Sequence, residues 1–344
     1  MVNRYDRQTR FHPIGIKGQE RLRSAHVLLV GCGALGTPMA DTLVRAGVGK
    51  LTIIDRDYVE RHNLQRQQLF TEEDAEQKVS KARAAARQLE KVNKDVELDV
   101  YVRDFQAEDA KNFVPGVDLL LDGTDNFEVR LLLNDAAYRY GIPWIYGGVI
   151  GSYGLSLTFT LGEGPCLRCL SPYLSLDETC DTDGVIAPAS QMVAAMQSAE
   201  ALKILSGSQS HVSHHLRSFD LWENETTSVD VMRLKSDECP TCGVTPSYPA
   251  LQTKDEQGKQ IRVLCGGDTV HVRPRERQEV QLDKLQSVQD PSLSFFRLHE
   301  DAATFDYDGC RIVLFKDGRA LLHGTDQSEH AEKVYEQVLA LIPS

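Results

Sequence analysis

The chain has 344 residues, 41% of them hydrophobic, and a formal net charge of −12. Its length exceeds one typical domain and predicts a main domain with an appendage, and the acidic balance argues against a nucleic-acid or anionic-membrane partner, which needs an excess of Lys and Arg on some face. No apolar run is long enough to span a bilayer and the opening residues lack a signal-type stretch, so a cytoplasmic protein is expected.

Residues 26–30 are an apolar run that feeds into Gly31-Cys32-Gly33-Ala34-Leu35-Gly36. A helix is expected over 37–46, ending at Gly47, and a strand over 50–54, ending on Asp55. This is a βαβ unit with an acidic residue roughly 20 positions after its glycine loop. A helix comes next over 78–92, then strands over 96–102 and 117–121, a helix over 127–140, and strands over 142–149 and 155–160. Alternating strands and helices predict a doubly wound, Rossmann-like, mostly parallel α/β sheet. Residues 171–183 lack periodicity and read as a long loop, and 189–205 as an amphipathic helix burying Met192, Met196, Ala199 and Leu202. Strands over 216–222 and 227–234 complete a domain spanning 1–247. Residues 248–344 form a small α+β domain, with strands at 260–272, 311–315 and 319–323 and a last helix at 328–341.

Gly31, Gly33 and Gly36 meet the geometric needs of a phosphate-binding turn, and Asp55 can accept hydrogen bonds from both ribose hydroxyls. The loop alone is equally compatible with NAD, FAD or ATP. The residues after Asp55 favour ATP: Asn63, Gln65, Arg66 and Gln67, then Lys78 and Lys81, supply amides and cations for a triphosphate whose cleavage loads charge onto pyrophosphate. Of the two lysines, Lys78 is taken as the phosphate ligand and Lys81 as a solvated helix residue. Asp125, in Thr124-Asp125-Asn126 at the sheet's carboxyl edge, can hold Mg²⁺ against the phosphates. Asp125 and Glu128 also have capping-box spacing, so a helix cap is the alternative, and both roles can coexist.

Two Cys-x-x-Cys pairs, Cys166/Cys169 and Cys239/Cys242, have the spacing of a closed four-thiolate shell for structural Zn²⁺. Cys180, in the aperiodic loop, either carries sulfur or is a bystander, and Cys32 is a small packed side chain. His211, His214 and His215 read as loop residues rather than metal ligands. An NAD-dependent oxidoreductase would use the glycine loop and Asp55 but would leave Arg66, Lys78, Asp125 and the cysteine pairs unexplained.

Arg4-Tyr5-Asp6-Arg7-Gln8, the glycine loop, Asn63-Leu64-Gln65-Arg66-Gln67, Lys78, Thr124-Asp125-Asn126 and the cysteine pairs together resemble the ThiF/MoeB family, bacterial relatives of ubiquitin-activating enzymes, over residues 1–245. The resemblance implies ATP-dependent adenylation of the terminal glycine of a ubiquitin-like sulfur carrier with a Gly-Gly tail, releasing pyrophosphate. It assigns the ribose to Asp55, the phosphates to Asn63, Arg66 and Lys78, and Mg²⁺ to Asp125. Arg7 is similar to the family's arginine finger, which reaches across a homodimer. The opening of the chain, Ile145-Tyr146-Gly147-Gly148 and the Cys180 loop are more like the thiamin-thiazole (ThiS-type) members than the molybdopterin (MoaD-type) ones. Adenylation of another peptide carboxylate is the further alternative. The C-terminal extension shows no cysteine opening a rhodanese-like loop, and Cys265 falls in an expected strand. A separate sulfur donor, such as a cysteine desulfurase, is therefore expected.

Overall fold

A computed structural model of the chain describes residues 4–162, 164–173, 184–252, 260–263, 269–274, 278–286, 288 and 290–342. Two compact units divide it, Met1–Glu76 with Ser80–Thr253, and Gln77–Val79 with Lys254–Ser344.

The first unit runs α1 (Asp6–Thr9), α2 (Gly15–Ser24), β1 (His26–Val30), α3 (Gly36–Ala46), β2 (Lys50–Asp55), α4 (Glu72–Glu76), α5 (Lys81–Val92) and β3 (Glu97–Val102). It continues with α6 (Ala107–Phe113), β4 (Leu119–Asp122), α7 (Phe127–Tyr140), β5 (Trp144–Ile150), β6 (Tyr153–Phe159), α8 (Leu167–Leu170), α9 (Ala187–Ser206), β7 (His215–Asp220) and β8 (Glu225–Asp230). The strands form one sheet in the order β3-β2-β1-β4-β5-β6-β7-β8. From β3 to β5 neighbours are parallel; β6, β7 and β8 extend the sheet antiparallel. The apolar runs of β1, β2 and β4 are buried along almost their whole length, as central parallel strands covered on both faces must be. All six residues of β8, the edge strand, are exposed. Helices α2, α3, α5 and α9 pack as one layer, and α6, α7 and α8 as the other.

Helix ends obey local chemistry. Gly47 and Gly141 take left-handed conformations (φ 79° and 73°) that close α3 and α7. The helix expected from residue 78 starts at Lys81 instead, because Lys78 sits at φ 49° and Ser80 is the extended N-cap residue. Helix α9 turns a different face inward from the one expected. Val193, Ala194, Gln197, Ala201 and Ile204 are buried while Met192 and Ala199 are exposed. Polar residues on the buried face disguised it: Gln197 Nε2 donates to the Asp122 carbonyl at 2.8 Å, and Glu200 pairs with Arg217 at 3.0 Å.

In the second unit, β9 (Gln260–Val263), β10 (Thr269–Arg273), α10 (Leu282–Gln286), β11 (Ser294–Leu298), β12 (Ala302–Tyr307), β13 (Cys310–Phe315), β14 (Ala320–His323) and α11 (Ser328–Ala340) succeed one another in order. Its six strands pair antiparallel as β11-β12-β13-β14-β10-β9. The core joins Val270, Phe305, Ile312, Leu314 and Leu322 to Val334, Tyr335 and Val338 of α11. The expected strand over 260–272 is two antiparallel strands, and Cys265 lies outside the described residues. No helix among the described residues is long and apolar enough to cross a membrane.

Candidate active site

The carboxyl ends of β1, β2 and β4 meet where the sheet reverses its strand order, the usual ligand crevice of open α/β sheets. Gly31 comes directly after β1 at φ 88°, and a Cβ at Gly36 or Gly123 would collide with its carbonyl oxygen, so backbone-to-backbone packing requires both glycines. Gly33 differs. It has no positive φ, and the nearest atom to a Cβ placed there is Gln67 Nε2 at 3.7 Å. Its missing side chain leaves room above the loop rather than meeting a need of the fold.

Asp55 ends β2 with 8% exposure. Its Oδ2 accepts from the Cys32 N–H at 2.6 Å and its Oδ1 from the Asp57 N–H at 2.7 Å, which fixes the carboxylate beside the loop. Burial raises its pKa, while the Lys81 charge works the other way. Burial also pushes the Cys32 thiol far up, so this cysteine is packing, as expected.

Lys81 corrects the sequence reading. It is 8% exposed, and its Nζ lies 3.1 Å from Asp57 Oδ2. Burial works to lower its pKa, yet the charges of Asp57, Asp55 and Asp125 prevail and hold the ammonium on. A helix-opening lysine in an Ala-rich stretch reads as solvated; the extended Ser80 N-cap residue before it is the signal that it begins the helix at the site. Lys78 belongs to the Gln77–Val79 segment grouped with the second unit and is not among the residues gathered at this sheet edge.

Asp125 is exposed, and its charge reaches Lys81, Arg56 and Arg130. The capping alternative goes to its neighbour: Asn126 Oδ1 accepts from the N–H groups of Glu128 and Val129 at 2.9 and 3.2 Å, so Asp125 is not the cap of α7. Beneath it, fully buried Asp122 accepts from Thr124 Oγ1 at 2.7 Å and Arg130 Nε at 3.0 Å. Arg130 also donates to the carbonyls of Thr124 (2.7 Å) and Gly147 (3.0 Å), tying the ends of β4 and β5 together under Asp125. Burial raises the Asp122 pKa and Arg130 pulls it down. The sequence reading missed this pair, whose signal is an Asp ending an apolar strand and an Arg one turn into the next helix.

Residues 61–63 form a short 3₁₀ turn closed by a reciprocal pair of hydrogen bonds between Glu60 and Asn63. Asn63 Oδ1 takes the Glu60 N–H at 3.1 Å, so the group it offers a ligand is its amide NH₂. Arg66 Nη1 donates to the His62 carbonyl at 3.0 Å, and no carboxylate among the described residues pairs with it. Gln65 Nε2 lies 3.4 Å from the Val185 carbonyl. Arg7 is exposed on α1, which Tyr5 anchors through its hydroxyl, 2.9 Å from Asn93 Nδ2. Cys180 lies outside the described residues.

Farther along the unit, the sulfurs of Cys166, Cys169, Cys239 and Cys242 all lie within 4.8 Å of one another. Cys166 and Cys239 are 3.5 Å apart and Cys169 and Cys242 3.4 Å. Four thiolates bonded at about 2.3 Å to one tetrahedral ion lie roughly 3.8 Å apart, so this cluster can hold a metal ion. Fully buried Asp135 supports it, accepting from Thr241 Oγ1, from Arg168 at 3.0 Å and from the Ala250 N–H at 2.8 Å. Those bonds join the chain around both cysteine pairs, as supporting shells of metal sites do.

The model of the ThiF family matches residues 5–241. The sulfur carrier protein ThiS adenylyltransferase of Bacillus subtilis (strain 168) is 43% identical over 338 residues, covering 98% of this chain and 99% of its own. The sulfur carrier protein adenylyltransferase of Thermus thermophilus is 37% identical over 73% of this chain and 94% of its own. The mouse adenylyltransferase and sulfurtransferase MOCS3 is 34% identical over 80% of this chain but only 62% of its own. Among solved structures, E. coli MccB with ATP shares the fold, with a TM-score of 0.61 at 24% identity over 71% of this chain and 75% of its own.

Proposed function

The chain belongs to the ThiF family, and we infer that it adenylates the C-terminal glycine of a ThiS-type sulfur carrier with ATP, releasing pyrophosphate and readying the carrier for thiocarboxylate formation. The near full-length 43% identity to a ThiS adenylyltransferase carries this conclusion. In this reaction a carboxylate oxygen of the carrier's last glycine bonds to the α-phosphorus as the bond to the bridging oxygen breaks, and that oxygen leaves with pyrophosphate. No proton moves, so placement and charge neutralisation supply the catalysis.

Each residue of the site takes one part of the nucleotide. Asp55, fixed by two backbone N–H groups, accepts the ribose hydroxyls. The Asn63 amide, Arg66 and Lys81 take the triphosphate; Lys81 assumes the role the sequence gave to Lys78, because its ammonium is buried among Asp55, Asp57 and Asp125. Asp125, relieved of capping by Asn126, is the carboxylate that would hold Mg²⁺, which takes one or two carboxylates plus phosphate oxygens and neutralises the phosphates. Arg7 completes the charge clamp from the partner subunit of a homodimer. The four-cysteine cluster suits Zn²⁺, whose closed shell ties the two cysteine pairs together.

Sulfur comes from a separate protein, such as a cysteine desulfurase. Cys310 of the second unit is 2% exposed with its thiol pushed up by burial, the opposite of what a sulfur-carrying thiolate needs. ATP–pyrophosphate exchange tests the function. It should require the carrier and vanish when the carrier's last glycine is removed; exchange with neither ThiS- nor MoaD-type carriers would overturn it. Preference for a MoaD-type carrier would favour the molybdopterin alternative, which the similarity to MOCS3 keeps in view.

A further inference from the structure

Gln67 closes the turn that carries Asn63 and Arg66, its N–H bonded to the Asn63 carbonyl at 3.0 Å. The side chain is 4% exposed, and its buried Oε1 accepts no hydrogen bond from any described residue. Burying an amide acceptor without a donor costs free energy, and an apolar side chain of the same shape would avoid that cost. The amide points at the glycine loop, where its Nε2 is the nearest atom, at 3.7 Å, to a Cβ placed on Gly33. That is the glycine whose bareness the fold itself does not require. Two independent features, an open site above Gly33 and a buried amide with spare capacity, therefore meet at one point.

We propose that Gln67 contacts the nucleotide, its amide NH₂ donating to a phosphate oxygen and its Oε1 accepting a ribose hydroxyl. ATP brings both complements to this place. Phosphate oxygens only accept, and the ribose hydroxyls are the donors drawn toward Asp55, whose carboxylate is bonded to the residue preceding Gly33. The proposal rests on the reading of this crevice as a nucleotide site.

The test compares wild type, Gln67→Leu and Gln67→Glu in the full-length protein, by thermal unfolding with and without MgATP and by calorimetric titration of MgATP. Gln67→Leu should match or exceed the wild-type Tm without nucleotide, lose most of the ATP-induced rise in Tm, and bind about tenfold more weakly. Gln67→Glu, with a carboxylate beside the phosphates, should bind more weakly still, and it carries the comparison if the Leu protein does not fold. In exchange assays the loss should appear in the KM for ATP and not in kcat. A lower ligand-free Tm with unchanged ATP affinity in both variants would make Gln67 a structural residue and overturn the proposal. Wild-type protein that shows no ATP-induced shift would instead sink the nucleotide site, and this inference with it.

Discussion

Asp122 and Asp135 are both fully buried and both hydrogen-bonded to an arginine, yet their surroundings differ. Around Asp135 the chain satisfies itself: Arg168, Thr241 and Ala250 take up the carboxylate, and the four sulfurs beside it face one another. Above Asp122 it does not. Asp125 stands exposed, Arg66 has no carboxylate partner among the described residues, and Gln67 Oε1 is buried without a donor. Saturated polar groups hold a structure together, whereas surplus capacity in a fixed place is what a ligand completes. Substitutions in the two regions should therefore separate, one set costing activity and the other stability.

Asp125→Ala should show the largest effect, lowering carrier-dependent exchange by at least on the order of 10³-fold. Its Tm should stay at the wild-type value, since Asn126 caps the helix. Normal turnover would remove Asp125 from the metal role, and a fall in Tm would blur the contrast between the regions. Lys81→Met should come next, with a loss of about 10²-fold in exchange. Lys78→Met made beside it decides between the two lysines: a larger loss at Lys78 would restore the reading made from sequence.

At the cysteine cluster the readout reverses. Cys242→Ser should lower the Tm by roughly 10 °C or more, because binding of a structural metal is folding free energy. Metal analysis of the wild type should find about one Zn²⁺ per chain, removable only with chelator under destabilising conditions. A Cys242→Ser protein with wild-type Tm and depressed exchange would place the cluster among the reacting groups and abolish the distinction.

The two regions also differed in how plainly they could be read. Cys-x-x-Cys spacing is a local signal, so the cluster was legible before any fold, and so was the βαβ unit, whose apolar runs leave little choice of structure. Lys81 was not, because its meaning lies in burial among Asp55, Asp57 and Asp125, which are separated in sequence and joined only by the sheet. Asp135 inside α7 reads as a solvated helix residue until Thr241 and Arg168 are seen on it. In the second unit β11 and β12 were missed for another reason. Ser294–Leu298 is mostly exposed and shifts register against its neighbour, so it lacks the clean alternation that announces a strand.

Gly33→Ala probes the same distinction more finely. A methyl group there meets only the end of the Gln67 side chain, so the Tm should hold while ATP affinity falls about tenfold. Gly36→Ala, which drives a methyl into the Gly31 carbonyl, should instead destabilise the fold. Equal Tm losses from the two would mean that Gly33, too, serves packing.

The smallest expected effect is pH dependence, where the sign is set by Lys81. Its folded pKa lies above the unfolded value of about 10.4, so the stability it contributes is fully present below that value and disappears as pH rises through the folded one. Between pH 6 and 9 the Tm difference between wild type and Lys81→Met should therefore stay flat, shrinking only in stronger base. A difference that already falls between pH 7 and 9 would mean that burial prevails over Asp55, Asp57 and Asp125. The ammonium would then be lost near neutrality, and Lys81 could not serve as a fixed charge for the departing pyrophosphate.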